Sequence, residues 1–530
     1  MHRDYQKRLR QFHEAKWDEE LIFDLSVPGE RGVLPPLAAP EVRAEAPDPL
    51  AALPEYLRRK RPPLLPEVHQ MRVNRHYLRL SQETLGADLV PDIGQGTCTM
   101  KYSPKVQEHL VARDPNLVEI HPRQDPSTMQ GLLEISYRTE QMCKEISGLD
   151  AFSFQPGGGA HACFAGACVV RAYHKKRGEE QRNEIITTIF SHPCDAAAPA
   201  TAGYKVVTLM PDEEGYPDIE ALRAALSERT AAIFITNPED TGIYNPRIKE
   251  FVDLAHEVGA LAYYDQANVN GIMGVTRAKE AGFDLLHFNL HKTFSSPHGG
   301  MGPGCGALGV RESLKPFLPV PRVGFDGERY VLEESPDSIG KVRSFLGNLS
   351  IVVRAYMWIM QMGAEGLREA ALCSVLNNQY MMRKIAEIPG ATIPYAEGRR
   401  RLEQARYSWE QLQRDTGFGT HDLSLRLIDF GLEHYWQSHH PWVVPEPFTL
   451  EPCESYSRDD IDEFVAVLRE VAREAYEEPE LIRKAPLNAP IHNLKKFEVD
   501  DFADVAVTLR QYLRRKGGSV EESLGLTARS

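Results

Sequence analysis

The chain has 530 residues, of which 42% are hydrophobic and 26% are charged, a balance typical of a globular protein with more than one domain. Its formal net charge of -14 argues against general binding to nucleic acid or to anionic membranes, because both depend on clustered lysine and arginine. A small molecule or another protein is therefore the expected partner.

The N-terminal segment and the cysteines predict a cytoplasmic location. The segment MHRDYQKRLRQFHEAKWDEE is charged throughout and lacks the apolar core of a secretory signal. No stretch reaches the roughly 18 uncharged apolar residues that cross a bilayer, so we expect no membrane association. The eight cysteines form no CxxC pair, and we expect them to be reduced thiols.

Residues 1 to 66 are predicted to form an extended N-terminal arm. A charged segment around Tyr5 to Leu21 favours a helix, and the stretch that follows is rich in proline. Such a stretch lacks the amide donors and the periodicity of a compact domain. A disordered tail is the alternative, but interspersed leucines favour an arm that lies across another subunit.

Short apolar runs alternate with amphipathic stretches from about 150 to 310, which predicts an α/β fold. The candidate helices are 219 to 228 and 248 to 259, and the candidate strands are AFSFQP, EIITTIF, KVVTLM, AAIFITNP, LAYYD, LLHFNL and GALGV. We therefore predict a mainly parallel seven-stranded sheet in a large domain over 67–345, with a helical lead-in to about 150.

The remaining chain predicts a smaller C-terminal α+β domain over 346–490. Its first part is a long helical stretch with break points at Gly363 and Gly366, and RDDIDEFVAVLREVAREAYEE predicts a further helix. A polar segment with tryptophan and tyrosine lies between them. Residues 491–530 form a charged C-terminal extension.

Three polar loops follow apolar runs and are the first indication of a site. They are TNP at 236–238, YYDQAN at 263–268 and NLHKTFSSPHGGMGPGCG at 289–306. Because the carboxyl ends of parallel strands meet at one edge of a sheet, these loops are expected to converge on one ligand.

Lys292 and Asp265 together predict a pyridoxal 5'-phosphate (PLP) site. Lys292 follows a strand and precedes a glycine-rich loop, where partial burial would free its amine to attack an aldehyde. Taken alone, Lys292 is better explained as a solvated lysine at the end of a strand. Asp265 ends the preceding strand, and PLP enzymes hold the pyridinium nitrogen with such a carboxylate.

Two further side chains are candidates for contact with the cofactor ring. Asn237 can donate to the 3'-oxygen, although a turn-forming role is the alternative for an Asn-Pro pair. His192 ends another strand and could stack on the ring, although a buried, hydrogen-bonded histidine is equally compatible with the sequence.

A phosphate group needs amide donors, and the segment QPGGGAHAC supplies them before a predicted helix. A tight turn is the alternative for a glycine run. We assign the phosphate contacts to Gly158, Gly159 and Ala160, with Thr293 and His298 as further candidates.

Two groups of possible metal ligands do not match a structural zinc spacing. They are His161 with Cys163 and Cys168, and His192 with Cys194. We therefore predict no metal.

At these residues the chain closely resembles subunit 2 of glycine dehydrogenase (decarboxylating), the PLP-binding P-protein of the glycine cleavage system. The resemblance runs from about Leu21 to Asn493 and includes GTCTMKYSPK, YYDQANVNGIMG, PFLPVPRV and APLNAPIHNL. HKTFSSPHGGMGPG is the most specific motif.

The resemblance implies an aspartate-aminotransferase-like, PLP-dependent transferase of fold type I. It implies an oxidoreductase in which Lys292 binds PLP as a Schiff base, Asp265 contacts the pyridinium and His192 stacks on the ring. Glycine would be decarboxylated, and its aminomethyl group passed to a lipoylated H-protein. A homologous subunit 1 is implied, in a heterotetramer; a homodimer is the alternative.

The chain departs from the family beside these anchors. Where the family has Pro-Ala-Ala-Gly-Ala-Gln-Gly-Glu, this chain has PGGGAHAC, so Cys163 replaces a glutamate. Where the family has Ala-His-Gly-Thr-Asn-Pro-Ala, this chain has SHPCDAA. TNP continues with EDTG instead of Ser-Thr-Leu-Gly, and YYD with QAN instead of Gly-Ala-Asn. The resemblance is also weakest over 401–422. A lyase, decarboxylase or aminotransferase for another amino acid, and a non-catalytic partner subunit, therefore stay open as alternatives.

Overall fold

The structure is a computed structural model, and it describes residues 9–10, 19–32, 37–45, 48, 50–60, 65–83, 91–96, 98, 101–296, 304–439 and 441–489. The chain divides into two compact units, one of residues 1–11 and 86–484 and the other of residues 12–85 and 485–530. The predicted helix around Tyr5 to Leu21 and the predicted extension 491–530 lie largely or wholly outside the described residues. The predicted domain boundaries stay predictions.

The described part of the unit of residues 12–85 and 485–530 includes the α-helices α1 (Pro40–Glu45) and α2 (Gln70–Gln82). Helix α1 has no buried residue. His69 precedes helix α2 and caps its start, because its Nδ1 accepts a hydrogen bond from the Met71 amide. The carboxylate of Glu19 lies 2.9 Å from Nδ1 of His76 on α2 and also pairs with Arg79.

The larger unit contains the sheet and the helices around it. In chain order its first elements are α3 (Lys105–Arg113), α4 (Pro115–Val118), α5 (Gln130–Ser147), β1 (Ala151–Ser153), α6 (Gly159–Lys176), β2 (Glu184–Thr188), α7 (Cys194–Thr201), β3 (Lys205–Leu209), α8 (Ile219–Ala225), β4 (Thr230–Thr236), α9 (Ile248–Glu257), β5 (Leu261–Gln266), α10 (Ala278–Ala281), β6 (Leu285–Asn289) and β7 (Gly306–Val310).

Seven of these strands form one sheet in the order β1-β7-β6-β5-β4-β2-β3, which confirms the predicted seven-stranded sheet. Strand β7 runs antiparallel to both of its neighbours, and all other neighbouring pairs are parallel. Strands β2, β5 and β6 are buried along their whole length. Burial on both faces explains why these strands do not alternate regularly between apolar and polar residues.

The remaining elements extend the unit towards its C-terminus. They are β8 (Arg322–Phe325), β9 (Tyr330–Glu333), α11 (Leu349–Ile385), β10 (Ala405–Ser408), α12 (Glu410–Thr416), α13 (Thr420–Ile428), β11 (Pro447–Leu450), α14 (Arg458–Glu477) and α15 (Pro479–Lys484). Strand β10 pairs antiparallel with β11. The polar segment of 401–450 therefore contains two short strands and two short helices.

Helix α11 connects two hydrophobic cores. Its first half, including Ile351 and Trp358, packs in the core beneath the sheet, and its last turns, including Met381 and Ile385, pack in the C-terminal core with α14. The helix is interrupted at Gly363, where φ is 64° and ψ is 177°. The predicted break at Gly363 is confirmed, whereas Gly366 lies in a regular helical turn, so that predicted break was wrong.

No helix in the described part of the chain combines the length and the apolar character needed to span a bilayer.

Candidate active site

The carboxyl ends of the parallel strands bring the predicted residues to one edge of the sheet. Asp265 lies near the end of β5, Asn237 directly follows β4, and Lys292 lies in the turn after β6. His192 follows β2 in the same way, and helix α6 starts just after β1, which runs in the same direction as these strands. The carboxyl ends of parallel strands are where open α/β sheets bind their ligands.

Lys292 presents a buried amine without a fixed partner in the described part of the chain. Its side chain is only 5% exposed, and its backbone amide donates to the Asn289 carbonyl at 3.0 Å. The positive charge of Lys292 lowers the pKa of both Asp265 and His192, so the amine lies close to these two groups. A buried amine that is not committed to an ion pair is available for covalent chemistry.

Asp265 is a buried carboxylate that its surroundings keep ionised. Oδ1 accepts a hydrogen bond from the Ala267 amide at 2.8 Å, and Nε2 of His287 lies 3.5 Å from the same oxygen. Burial opposes the charge, but His287, His192 and the Ala267 amide together hold the pKa of Asp265 below its ordinary value. His287 is itself fixed by a 2.7 Å hydrogen bond between its Nδ1 and the Tyr263 hydroxyl.

His192 is a neutral imidazole whose orientation is fixed by its own loop. Nδ1 accepts a hydrogen bond from the Cys194 amide at 3.1 Å, which leaves the ring proton on Nε2. Burial lowers the pKa of His192 to about 4, so the ring carries no charge at neutral pH. The ring of His439 meets it edge-on, with centroids 4.7 Å apart.

The start of helix α6 offers backbone amides at the same edge. The helix begins at Gly159, so the amides of Gly159 and Ala160 have no intrahelical acceptor. Gly158 has an extended backbone, and an added Cβ there would meet no atom within 4 Å. A side chain at Gly157 would collide with the guanidinium of Arg343, which places a cation beside this helix start.

Three further predicted residues have different surroundings. Asn237 is 2% exposed; its Oδ1 accepts from the Asn245 amide at 2.8 Å, whereas its Nδ2 has no hydrogen-bond partner among the described residues. Thr293 is fully buried, and its Oγ1 accepts from the Val269 amide at 3.0 Å. His298 lies outside the described residues.

Cys163, Cys194 and Asp195 form a buried cluster with Asp265, and the four ligand atoms lie within 4.8 Å of one another. The two sulfur atoms are 3.4 Å apart, and Cys163 Sγ lies 3.3 Å from Asp195 Oδ1. This cluster differs from the two groups considered in the sequence, because the fold brings each cysteine beside residues from another element. Burial raises the pKa of both thiols, which is unfavourable for metal binding. The expectation of no metal stays a prediction.

A cavity of about 420 Å³ adjoins His192. Its lining includes Asp240, Arg406 and His439, which the sequence reading did not single out. Arg406 comes from strand β10, in the segment where no recognisable motif lies. Only the EDTG sequence at 239–242, with two consecutive acidic residues after TNP, could have indicated a charged site.

The arrangement fits PLP. The uncommitted amine of Lys292, the ionised Asp265 and the free Nδ2 of Asn237 match the aldehyde, the pyridine nitrogen and the 3'-oxygen. The open helix start at Gly159 matches the phosphate.

Comparisons with known proteins agree with this fold. The model of the aminotransferase class-V family matches residues 158–338. A solved structure titled as glycine decarboxylase (P-protein) of the glycine cleavage system, in inhibitor-bound form, superimposes with a TM-score of 0.66 at 20% identity, over 83% of this chain and 100% of that chain. The sheet and the family match define the fold as that of the PLP-dependent transferases of fold type I, as predicted.

Sequence relatives define the family. A protein of Pyrococcus horikoshii named "Probable glycine dehydrogenase (decarboxylating) subunit 2" is 43% identical over 96% of this chain and 99% of its own length. A protein of the same name from Pyrococcus abyssi is 43% identical over 92% of this chain and 95% of its own length. The chain belongs to the family of glycine dehydrogenase (decarboxylating) subunit 2, which confirms the resemblance drawn from its motifs.

Proposed function

We propose that this chain decarboxylates glycine with PLP attached to Lys292. The observation that carries the proposal is the uncommitted amine of Lys292, buried beside the ionised Asp265 in a chain 43% identical to relatives named for glycine decarboxylation. A bound PLP ring supplies a sink for the electron pair that departing CO2 leaves on the substrate carbon.

The residues of the chain orient the cofactor and set its charge. Asp265 holds a proton on the pyridine nitrogen, because a carboxylate with a lowered pKa stabilises the protonated ring. His192 is neutral and fixed by the Cys194 amide, so it can cover a ring face without adding charge. Asn237 donates from Nδ2 to the 3'-oxygen.

The phosphate is held by the amides at the start of α6, from Gly158, Gly159 and Ala160. The helix dipole and the nearby guanidinium of Arg343 both favour an anion there. Thr293 and His298 remain candidates for further contacts. With this assignment the glycine run is needed because a residue without a side chain lets the backbone come close to the phosphate.

We further propose that the chain works with a homologous subunit 1 and with a lipoylated H-protein in the cytoplasm. The name "subunit 2" of the relatives supports a companion subunit. In the transfer, the carbon that loses CO2 bonds to one sulfur of the lipoyl disulfide, the S–S bond breaks, and the other sulfur leaves as a thiolate, which takes up a proton from solvent. The disulfide is thus reduced by the electron pair that the departing CO2 leaves behind.

The experiment is PLP attachment and glycine turnover in Lys292→Ala and in wild type. Borohydride trapping followed by mass spectrometry should locate PLP on Lys292 in wild type and find no attachment in the variant. Carboxyl-labelled glycine should release labelled CO2 only with the wild type, with subunit 1 and H-protein added. Lys249→Ala is the matched control, because Lys249 is an exposed lysine that pairs with Asp253 on α9. PLP trapped at another lysine would contradict the assignment.

A further inference from the structure

A groove at the C-terminal end of α11 carries an excess of positive charge. The last turns of α11 form one side and the segment 391–401 forms the other, around a volume of about 700 Å³. Its described lining contains one acidic residue, Glu397, and four arginines: Arg383, Arg399, Arg400 and Arg401. Because the chain has a net charge of -14, this surface is opposite in sign to the molecule as a whole.

The exposed arginines of the groove are available to a partner. Arg383 and Arg400 form no ion pair within the described ranges. Arg399 pairs with Glu214 at 3.1 Å, but the two side chains are 58% and 60% exposed, and an ion pair in water is weak. A carboxylate from another molecule can therefore bind here without breaking a strong internal contact.

Arg401 adds a buried positive charge that no carboxylate of the described residues neutralises. Its side chain is 1% exposed, and its Nη atoms donate to backbone carbonyl oxygens of residues 394–396. Its Nε has no hydrogen-bond partner among the described residues. Carbonyl groups carry no net charge, so the positive charge of Arg401 adds to that of the exposed arginines.

Apolar side chains lie beside these charges. Leu376 lines the groove and is 67% exposed, and Leu372, one helical turn earlier on α11, is 45% exposed. Met382 and Ile393 belong to the lining on the two sides of the groove. Exposed apolar side chains together with arginine are typical of surfaces that bind proteins. A small anion would use only the arginines, whereas a protein partner would use both.

The groove adjoins the loops of the candidate active site. The ring of Tyr395, in the groove lining, meets the ring of Phe190 edge-on with centroids 5.5 Å apart, and Phe190 lies two residues before His192. The amide of Leu402 donates to the carbonyl of Gly242 at 3.2 Å, in the loop after β4. The segment that forms one side of the groove therefore packs directly on the loops after β2 and β4.

We infer that this groove binds an acidic surface of the lipoylated H-protein and so holds that protein beside the active site. The inference rests on the proposed function, in which H-protein must reach the site and leave it in every turnover. A small charged contact suits such a partner, because electrostatic attraction speeds association without making the complex permanent. Subunit 1 would stay bound, and permanent interfaces are larger and more apolar.

Acidic side chains around the groove limit what can bind there. Glu397 lies in the lining, and Glu213 and Glu214 line an adjoining cavity with Arg399. A long, uniformly charged polyanion such as nucleic acid would meet these carboxylates. A protein with a few surface carboxylates can instead place each one opposite an arginine. The groove therefore favours an acidic protein over nucleic acid.

The test compares two acceptors, lipoylated H-protein and free lipoamide, in the double variant Arg383→Glu with Arg400→Glu. Both arginines are exposed and lie outside the candidate active site, so fold and PLP binding should be retained. With PLP and subunit 1 present, KM for H-protein should rise by about 10-fold or more, because two attractions become repulsions. CO2 release from glycine with free lipoamide should stay within about twofold of wild type, because lipoamide does not dock in the groove.

Direct binding of H-protein to the PLP-loaded complex, without glycine, gives a readout that does not depend on turnover. Wild-type affinity should fall as salt is raised, and the double variant should bind about 10-fold more weakly with little further salt dependence. Arg383→Gln with Arg400→Gln should show a smaller loss in the same direction, and it carries the test if the glutamate variant does not fold.

Arg223→Glu with Lys249→Glu is the matched control. It changes the net charge by the same amount on α8 and α9, at two exposed residues outside the groove. It should bind H-protein as wild type does. Unchanged H-protein affinity in both groove variants, an equal loss in the control, or an equal loss of activity with lipoamide overturns the inference.

Other occupants of the groove give different results. If the double variant loses association with subunit 1 in light scattering but keeps its affinity for H-protein, the groove is a subunit interface and the inference is overturned. If wild type binds a labelled oligonucleotide and the double variant does not, while H-protein affinity is unchanged, the groove binds nucleic acid and the inference is overturned.

Failure of the proposed function gives a separate pattern. A wild-type protein that releases no CO2 from glycine, but binds H-protein through the groove, would refute glycine decarboxylation and keep the docking surface. Turnover of glycine with an unchanged KM for H-protein in the double variant would do the reverse.

Discussion

Asp265 and Asp195 are two neighbouring buried carboxyl groups whose pKa values are shifted in opposite directions. His287, His192 and the Ala267 amide overcome the effect of burial and lower the pKa of Asp265. Burial and the charge of Asp265 raise the pKa of Asp195 well above its ordinary value. The surroundings therefore favour a negative charge on Asp265, the residue proposed to contact the pyridine nitrogen, over one on Asp195.

Asp265→Asn should retain PLP but lose most of its activity. An amide cannot hold the pyridinium proton as a carboxylate does, so we expect the turnover rate to fall by about 100-fold or more. Asp195→Asn is the matched control, because Asp195 is equally buried beside Asp265 but is not proposed to contact the pyridine nitrogen, so it should change the rate much less. Cofactor absorbance and CO2 release are measured on the same samples. Equal rates in Asp265→Asn and wild type would exclude the proposed role.

Glu239 predicts a pH dependence of stability. Its carboxyl group is buried, accepts a 2.6 Å hydrogen bond from Thr188, and has a pKa raised by burial from 4.5 to about 8. The folded state therefore keeps a proton that the unfolded chain releases above pH 4.5. This contribution to stability is fully present below that value and is lost as pH rises towards about 8.

Glu239→Gln should flatten this dependence, because glutamine has no proton to lose. Relative to wild type, the variant should gain on the order of 1 kcal/mol or more of unfolding free energy between pH 5.5 and pH 8. Denaturant unfolding at both pH values measures the difference. Glu228→Gln, at an exposed position, should show no comparable gain, and parallel curves for Glu239→Gln and wild type would contradict the pKa shift.

Local sequence was sufficient for some site residues and not for others. Lys292, Asp265 and His192 each end an apolar run, so the position of each relative to the sheet followed from the chain itself. Arg406 lies in the short strand β10, and its approach to Asp240 depends on how the C-terminal core packs. No local pattern encodes that packing.

At the scale of elements, continuous apolar runs made the central strands predictable, since strands buried on both faces need no alternation. The elements of 401–450 were not predicted individually because they are short and their apolar residues are interrupted by polar ones. Helix α11 was only partly predictable. Its length was evident, but the sequence could not distinguish the glycine that interrupts it from the glycine that does not.

Gly363→Ala and Gly366→Ala should therefore differ in stability. At Gly363, φ is 64° and ψ is 177°, a region that alanine strongly disfavours, so the substitution should destabilise the protein by about 1–3 kcal/mol. Gly366 is helical, and an added Cβ meets only the flexible Met362 side chain at 3.3 Å. Alanine there should be neutral or stabilising by up to about 1 kcal/mol.

The measurement is the thermal unfolding midpoint of the two variants under identical conditions. Because no atom lies within 4 Å of an added Cβ at Gly363, any loss there reports backbone strain without a steric clash. Equal midpoints in the two variants would show that the interruption is not maintained in solution.

At the scale of the whole molecule, the N-terminal segment exposes large apolar side chains. Leu37, Tyr56 and Leu65 are 86%, 84% and 72% exposed, and helix α1 has no buried residue. Exposed apolar side chains that recur along one segment indicate a surface that another chain covers. This supports the arm predicted over residues 1–66, which is expected to lie across a partner subunit.

Deletion of residues 1–60 should weaken subunit association more than it disturbs the sheet. The strands begin at Ala151, far beyond the deleted part, and their core is formed by residues of 86–484. Light scattering of the PLP-loaded protein, alone and with subunit 1, should show a dimer or heterotetramer for the full chain and a shift to smaller species after deletion. The double variant Leu37→Ser with Tyr56→Ser tests the same surface without removing the backbone and should weaken association in the same direction. A full-length protein that stays monomeric at micromolar concentration with PLP and subunit 1 present would refute the interface.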